Sequence, residues 1–225
     1  MISTEEITRV AIEAQAIPPA EGSYIDEDFM LNLQETVLDY MMSTTAVVRA
    51  LDHFNEHRSS ETRTVEDLEE TFARFPDDKD GNLALAQHLW GYNMWTRAEQ
   101  LRRLTKYFRS VGVVDQSSLK AWAAKSEFKR DFEGKVKGLG IAVYHWLVMR
   151  QGVDTVKPDV HVRRFAEAAV GRRLSDEEVV EVVTRAAHQL GKKAFELDWA
   201  IWEASRGGSL PYPQPDEGVT GEPNS

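Results

Sequence analysis

From residue 27 onward almost every segment repeats its apolar residues at helical spacing, and no stretch alternates apolar and polar side chains as a half-buried strand would. The fold this dictates is all-α, with roughly nine to eleven helices. Asp28–Ser43 sets Phe29, Leu33, Val37, Tyr40 and Met41 on one face, and Thr45–His57 does the same with Val48, Leu51 and Phe54. Both read as core helices. Thr64 with Asp67, and Ser175 with Glu178, have the spacing of capping boxes, and Gly191 ends the helix that Ser175 opens. Helices also fit GNLALAQHLW, Arg97–Val111, SSLKAWAAKS, Pro158–Val170 and Lys192–Ser205. In the last of these Phe195, Trp199 and Trp202 recur at helical spacing and read as core. The end, GGSLPYPQPDEGVTGEPNS, is aperiodic, acidic and rich in Pro and Gly, and residues 209–225 read as a flexible tail.

A chain of 225 residues can bury a substantial core, as one domain or as two lobes sharing a cleft. No apolar run approaches the ~18–20 residues that span a bilayer. The N-terminal MISTEEITRV lacks the basic-then-apolar plan of a signal peptide, so the expected location is the cytoplasm, with no membrane partner. With no cysteine the chain has no disulfide framework, zinc ribbon, thiolate nucleophile or cysteine-ligated iron–sulfur cluster. His53 and His57 stand four apart without a third ligand in view, so no metal site is expected. The net charge of −10 argues at first against a nucleic-acid partner, because a protein that neutralises phosphates brings Lys and Arg to them. Distribution reverses the argument. Arg97–Arg173 holds 17 Lys and Arg against 8 Asp and Glu, a basic block inside an acidic protein. Helices with solvated charged faces are the alternative reading of that count.

The most informative segment is Phe132–Phe165, FEGKVKGLGIAVYHWLVMRQGVDTVKPDVHVRRF. A short helix leads to Gly138-Leu139-Gly140, and an apolar helix runs from Ile141 to about Met149. Glycine belongs where φ is positive or where backbone must approach a ligand, and the amides that open the second helix suit a phosphate oxygen. Lys135 and Lys137 add charge beside the turn. A G-x-G of this kind also fits a helix C-cap followed by a new helix. Asp159 follows 19 residues after Gly140, within Lys157-Pro158-Asp159-Val160-His161-Val162-Arg163-Arg164-Phe165. There it also fits an ordinary N-cap worth about 1 kcal/mol.

Hairpin, spacing and PDVHVRRF together resemble the HhH-GPD superfamily of base-excision DNA glycosylases, which includes endonuclease III and the bacterial 3-methyladenine glycosylases. The resemblance covers roughly residues 28–206 and is specific over 134–165; upstream, Leu38–Phe54 and Arg97-Ala98-Glu99-Gln100-Leu101 match more loosely. It implies a two-lobed helical fold, with a six-helix-type lobe over 28–153 that contains the helix-hairpin-helix and a second lobe formed by 1–27 and 154–208. It implies a monomer that binds double-stranded DNA carrying a damaged or modified base, flips that nucleotide into a pocket between the lobes, and sets Asp159 to stabilise the oxocarbenium-like charge and position water. DNA would be held by Lys135, Lys137, Gly138, Leu139, Gly140, His161 and Arg163. The wedge would come from Met41–Thr44, including Met41, Ser43 and Thr44, and the pocket from among Tyr24, Tyr40, Tyr144, His145 and Trp146.

Bifunctional relatives carry a lysine nucleophile two residues after the second hairpin glycine. Ala142 stands there, so the resemblance implies hydrolysis without strand cleavage and without a cofactor, beyond a monovalent cation that hairpin carbonyls can hold. The lack of cysteine sets the chain nearer the alkylated-base branch. A bifunctional glycosylase or abasic-site lyase, a non-catalytic hairpin DNA-binding protein and a helical interaction protein remain as alternatives. Alkylated purines, uracil or thymine mismatches, oxidised bases and hypermodified cytosines all fit as substrates, and both repair in the nucleoid and defence against phage DNA fit as roles.

Overall fold

The computed structural model describes residues 1–20, 25–39 and 42–206. Eleven α-helices form among them: α1 (Thr4–Gln15), α2 (Phe29–Leu38), α3 (Thr44–His57), α4 (Val65–Ala73), α5 (Lys79–Trp90), α6 (Trp95–Ser110), α7 (Gln116–Ala123), α8 (Ile141–Arg150), α9 (Val160–Val170), α10 (Asp176–Gln189) and α11 (Ala194–Arg206). A π-helical turn, Phe128–Phe132, precedes α8, and no strand occurs among the described residues, so the fold is all-α. No helix among them is long and apolar enough to cross a membrane. The described residues divide into two compact units, one holding 1–20, Ile25 and 144–206, the other holding 26–39 and 42–143. The division falls inside α8 rather than at 153. The expected tail at 209–225 lies outside the described residues.

In the first unit, α1 packs on α9 and α10, and α11 packs on both of those helices. Val10, Ala14, Val156, Phe165, Val182 and Ile201 belong to its core. The sequence signal for α1 is a capping box: the Ser3 hydroxyl accepts from the Glu6 amide, and the Glu6 carboxylate accepts from the Ser3 amide. Glu6 also receives the Arg172 guanidinium at 2.8 Å, and Arg172 reaches Glu178 at 3.0 Å, which joins the start of α1 to the start of α10. Hydrogen bonding to the Ser3 amide and Arg172 lowers the Glu6 carboxyl to about 2; Arg172 and the Ser175 amide lower Glu178 to about 2.

The aromatics expected in the core of α11 are displaced from it. Ala194, Leu197, Ala200, Ile201 and Ala204 form the buried seam, because small residues let the helix approach its neighbours closely. Phe195, Trp199 and Trp202 are half-buried at its margin; Lys193 lies over the Phe195 ring and Arg206 over Trp202.

In the second unit, α6 packs against α2, α4 and α5, and α3 packs against α2 and α5. Leu33, Phe54, Leu68, Leu89, Trp90, Leu101 and Phe108 are fully buried or nearly so. The indole of Trp90 donates to Gln34 Oε1 at 2.6 Å inside this core. Arg102 of α6 donates to Asn82 Oδ1 and to the carbonyls of Phe72 and Phe75, satisfying backbone acceptors between α4 and α5.

Two helix assignments change. Ser43 does not close α2, which ends at Leu38; it caps α3, its hydroxyl accepting from the Ala46 amide. The buried face of α3 is Val47, Ala50 and Phe54, leaving Val48 at 49% exposure, since Phe54 lies a full turn after Ala50 but out of phase with Val48.

Candidate active site

The hairpin belongs to the second unit. Its leading arm is the single π-helical turn Phe128–Phe132, where an α-helix was expected, followed by turns rather than further helix. Positive φ at Gly134 (71°) and Gly138 (86°) stops helix propagation at both points. Phe132 is buried against Tyr107 and Trp122, and the Tyr107 hydroxyl donates to the Asp131 carbonyl, so α6 and α7 hold the turn in place.

Gly138 and Gly140 serve different ends. A Cβ on Gly138 would lie 2.5 Å from Gln100 Nε2, whereas a Cβ on Gly140 would meet nothing within 4 Å, and its φ is not positive. Gln100 of α6 donates to the Lys137 carbonyl at 3.3 Å, while Arg97 donates to Gln100 Oε1 at 3.0 Å. The hairpin is thus clamped by a side chain from the helix expected to lead towards it, a contact the sequence did not announce. Lys135 and Lys137 are exposed, and their ammonium groups form no ion pair or hydrogen bond among the described residues. Leu139 departs from its expected role. Its side chain is buried at 4% exposure and its amide donates to the Val136 carbonyl, so it anchors the turn instead of facing a ligand. Ala142, half-buried in the first turn of α8, carries no nucleophile.

Asp159 belongs to the first unit and is the N-cap of α9. Its Oδ1 accepts from the amides of His161 (2.9 Å) and Val162 (3.0 Å), while Oδ2 has no hydrogen bond among the described residues. One carboxylate oxygen fixes the side chain as an ordinary N-cap, and the other is not used by the cap. The segment that delivers Asp159 is itself anchored: Thr155, Val156 and Pro158 are buried, and the Lys157 amide donates to Asp198 Oδ2 at 2.9 Å. Asp198 is 3% exposed on α11. Nothing in the sequence marks it as an anchor, because 41 residues separate the partners.

His161 and Arg163, expected on DNA, are engaged within the protein. His161 Nδ1 lies 2.7 Å from the Ser205 hydroxyl. Arg163 donates to the Leu174 carbonyl and pairs with Asp176, which ties α9 to the start of α10 and spends its charge there.

Of the residues expected around a base, Tyr24, Tyr40 and Met41 lie outside the described residues. Ser43 and Thr44 are exposed, and the Ser43 hydroxyl is committed to its cap. Tyr144 is buried at 5% exposure, its ring edge-on to His145, which leaves little surface for a base. His145 is half-buried, and its Nδ1 lies 2.8 Å from Thr155 Oγ1. Burial lowers its pKa to about 4, so the imidazole is neutral at pH 7. Trp146 carries Lys157 Nζ at 4.8 Å and the Arg150 guanidinium at 5.3 Å from its ring centre.

The segment from α8 to α9 therefore combines a carboxylate with one open oxygen, a neutral imidazole and a cation-flanked indole. The chain belongs to the family described as Domain of unknown function (DUF8548), whose family model matches residues 33–206. No curated protein and no solved structure matches the chain.

Proposed function

We propose that this DUF8548 chain is a monofunctional DNA N-glycosylase, hydrolysing the glycosidic bond of a flipped damaged or modified base. The observation that carries the proposal is the state of Asp159, held by two amide bonds through Oδ1 with Oδ2 unengaged among the described residues. A carboxylate restrained in this way stabilises the positive charge that grows on the sugar as the base departs, and it orients the attacking water. The hairpin supports the same reading through exposed Lys135 and Lys137 beside the N-terminus of α8, where helix-end amides and positive side chains suit a phosphate. Ala142 favours water over an enzyme amine as nucleophile, so the sugar product is an intact abasic site.

The test is release of free base from duplexes that carry alkylated, deaminated, mismatched, oxidised or hypermodified bases, read by mass spectrometry, with Asp159→Asn as control. Release by the native protein and not by the variant supports the assignment; release by neither overturns it. Borohydride should trap no covalent adduct on abasic DNA, and an adduct would restore the bifunctional lyase. The capping bonds of Asp159 equally suit a non-catalytic DNA-binding protein, which binds duplex in both forms and releases no base.

A further inference from the structure

Asp198 of α11 is 3% exposed, a depth at which a carboxylate persists only where it is hydrogen-bonded or paired. Its Oδ2 accepts from the Lys157 amide at 2.9 Å, two residues before Asp159. The turn between them is closed by a bond of its own. The Asp159 amide donates back to the Lys157 carbonyl at 2.7 Å, and the ring of the buried Pro158 fixes φ between them. A continuous series of hydrogen bonds therefore runs from Asp198 through Lys157 to the backbone of Asp159, and from Asp159 Oδ1 on to the His161 and Val162 amides.

A second contact fixes the direction of this segment. Asp154 Oδ1 accepts from the Ala194 amide at 2.6 Å, where α11 begins. Ala194 and Asp198 are four residues apart and share one face of α11, while their partners Asp154 and Lys157 are three apart on the segment. Two points of attachment just before the Pro158 turn restrict rotation of the chain as well as its translation. Asp154 is exposed, whereas Asp198 is buried and has further partners in the fold, so removing them disturbs packing to different extents.

We infer that Asp198 is a positioning residue for the proposed hydrolysis, holding the Lys157–Asp159 turn so that the Asp159 carboxylate meets the sugar in one geometry. The inference rests on the glycosylase reading and adds to it a residue that acts through Asp159 rather than on the substrate. A misplacement of about 1 Å in a reacting group lowers the rate by about 100-fold, so the effect belongs in kcat and not in KM.

The experiment measures base release and hydrogen exchange at individual amides in the native protein, Asp198→Ala, Asp198→Asn and Asp154→Ala. Asp198→Ala should lower kcat by about 100-fold with KM little changed. It should also speed exchange of the His161 and Val162 amides by about 10-fold or more, while Val182 and Val183 in the core of α10 keep native protection. Asp198→Asn keeps an oxygen that accepts from the Lys157 amide and should recover most of both losses. Asp154→Ala should give smaller changes in the same direction, and it carries the test should Asp198→Ala fail to fold. Native kcat with native exchange at His161 and Val162 overturns the inference while the glycosylase reading stands. Exchange that quickens equally in the α10 core also overturns it, since that marks a general loss of stability. If the native protein releases no base at all, both readings fall together.

Discussion

Replacing Gly138 by alanine tests how the hairpin is held. The backbone there has φ of +86°, a region in which a residue with a Cβ loses about 1–2 kcal/mol. The new Cβ would also lie 2.5 Å from Gln100 Nε2, which must swing away and give up its bond to the Lys137 carbonyl. That bond is long and solvent-exposed, so its loss adds about 0.5–1 kcal/mol. The expected destabilisation of Gly138→Ala is therefore about 1.5–3 kcal/mol, measured by urea unfolding followed by far-UV circular dichroism. In a Gln100→Ala background the steric part disappears, and the penalty should fall to the backbone strain of about 1–2 kcal/mol. An equal penalty in both backgrounds would refute the clamp; a negligible penalty in both would refute the left-handed geometry itself. Gly140→Ala serves as the internal contrast, since its Cβ meets nothing within 4 Å, and its effect on folding should stay within about 0.5 kcal/mol.

Asp159→Ala removes two capping bonds and should lower stability by about 0.5–2 kcal/mol, whereas Asp159→Asn keeps a good cap and should melt close to the native protein while losing base release; equal melting of all three would deny the cap. Lys135→Ala and Lys137→Ala should each weaken duplex binding and reduce the slope of log affinity against log salt by about 1, and an unchanged slope would place the phosphate contacts elsewhere. The folded-state pKa values of Glu6 and Glu178, about 2 against an ordinary 4.5, mean that their contribution is complete above about pH 4.5 and is lost as pH falls towards 2. Arg172→Ala should therefore flatten the acid limb of the stability profile in that window, and an acid limb as steep as the native one would show that the pairs contribute nothing.

Much of the architecture could be read from the chain alone, because helical period and capping depend on neighbours within a few residues. The capping boxes at Thr64 and Ser175 and the N-cap at Asp159 are local events, fixed by which side chain stands three residues from which amide. The same local logic opens α1, where Ser3 and Glu6 form a capping box. Gly138 and Asp159 were recognisable because a positive φ and a helix start each demand few residue types.

Phase and partnership needed the tertiary structure. Whether Val47 or Val48 faces inward on α3, and whether tryptophans or alanines line the seam of α11, depends on how closely the neighbouring helices approach, which periodicity does not encode. Polar roles were harder still. The sequence offered Arg163 and His161 as surface cations for phosphate, but partners from α10, the segment before it and α11 claim them, while Gln100 and Asp198 act on backbone carbonyls and amides tens of residues away. A hydrogen bond is decided by where two groups meet in space, and its sequence cost is a single polar residue with no periodic mark. By itself, the sequence determined the helices and the hairpin glycine and placed a carboxylate at a helix start. Tertiary packing decided which charges remain free beside them and left Asp159 one bound oxygen and one open.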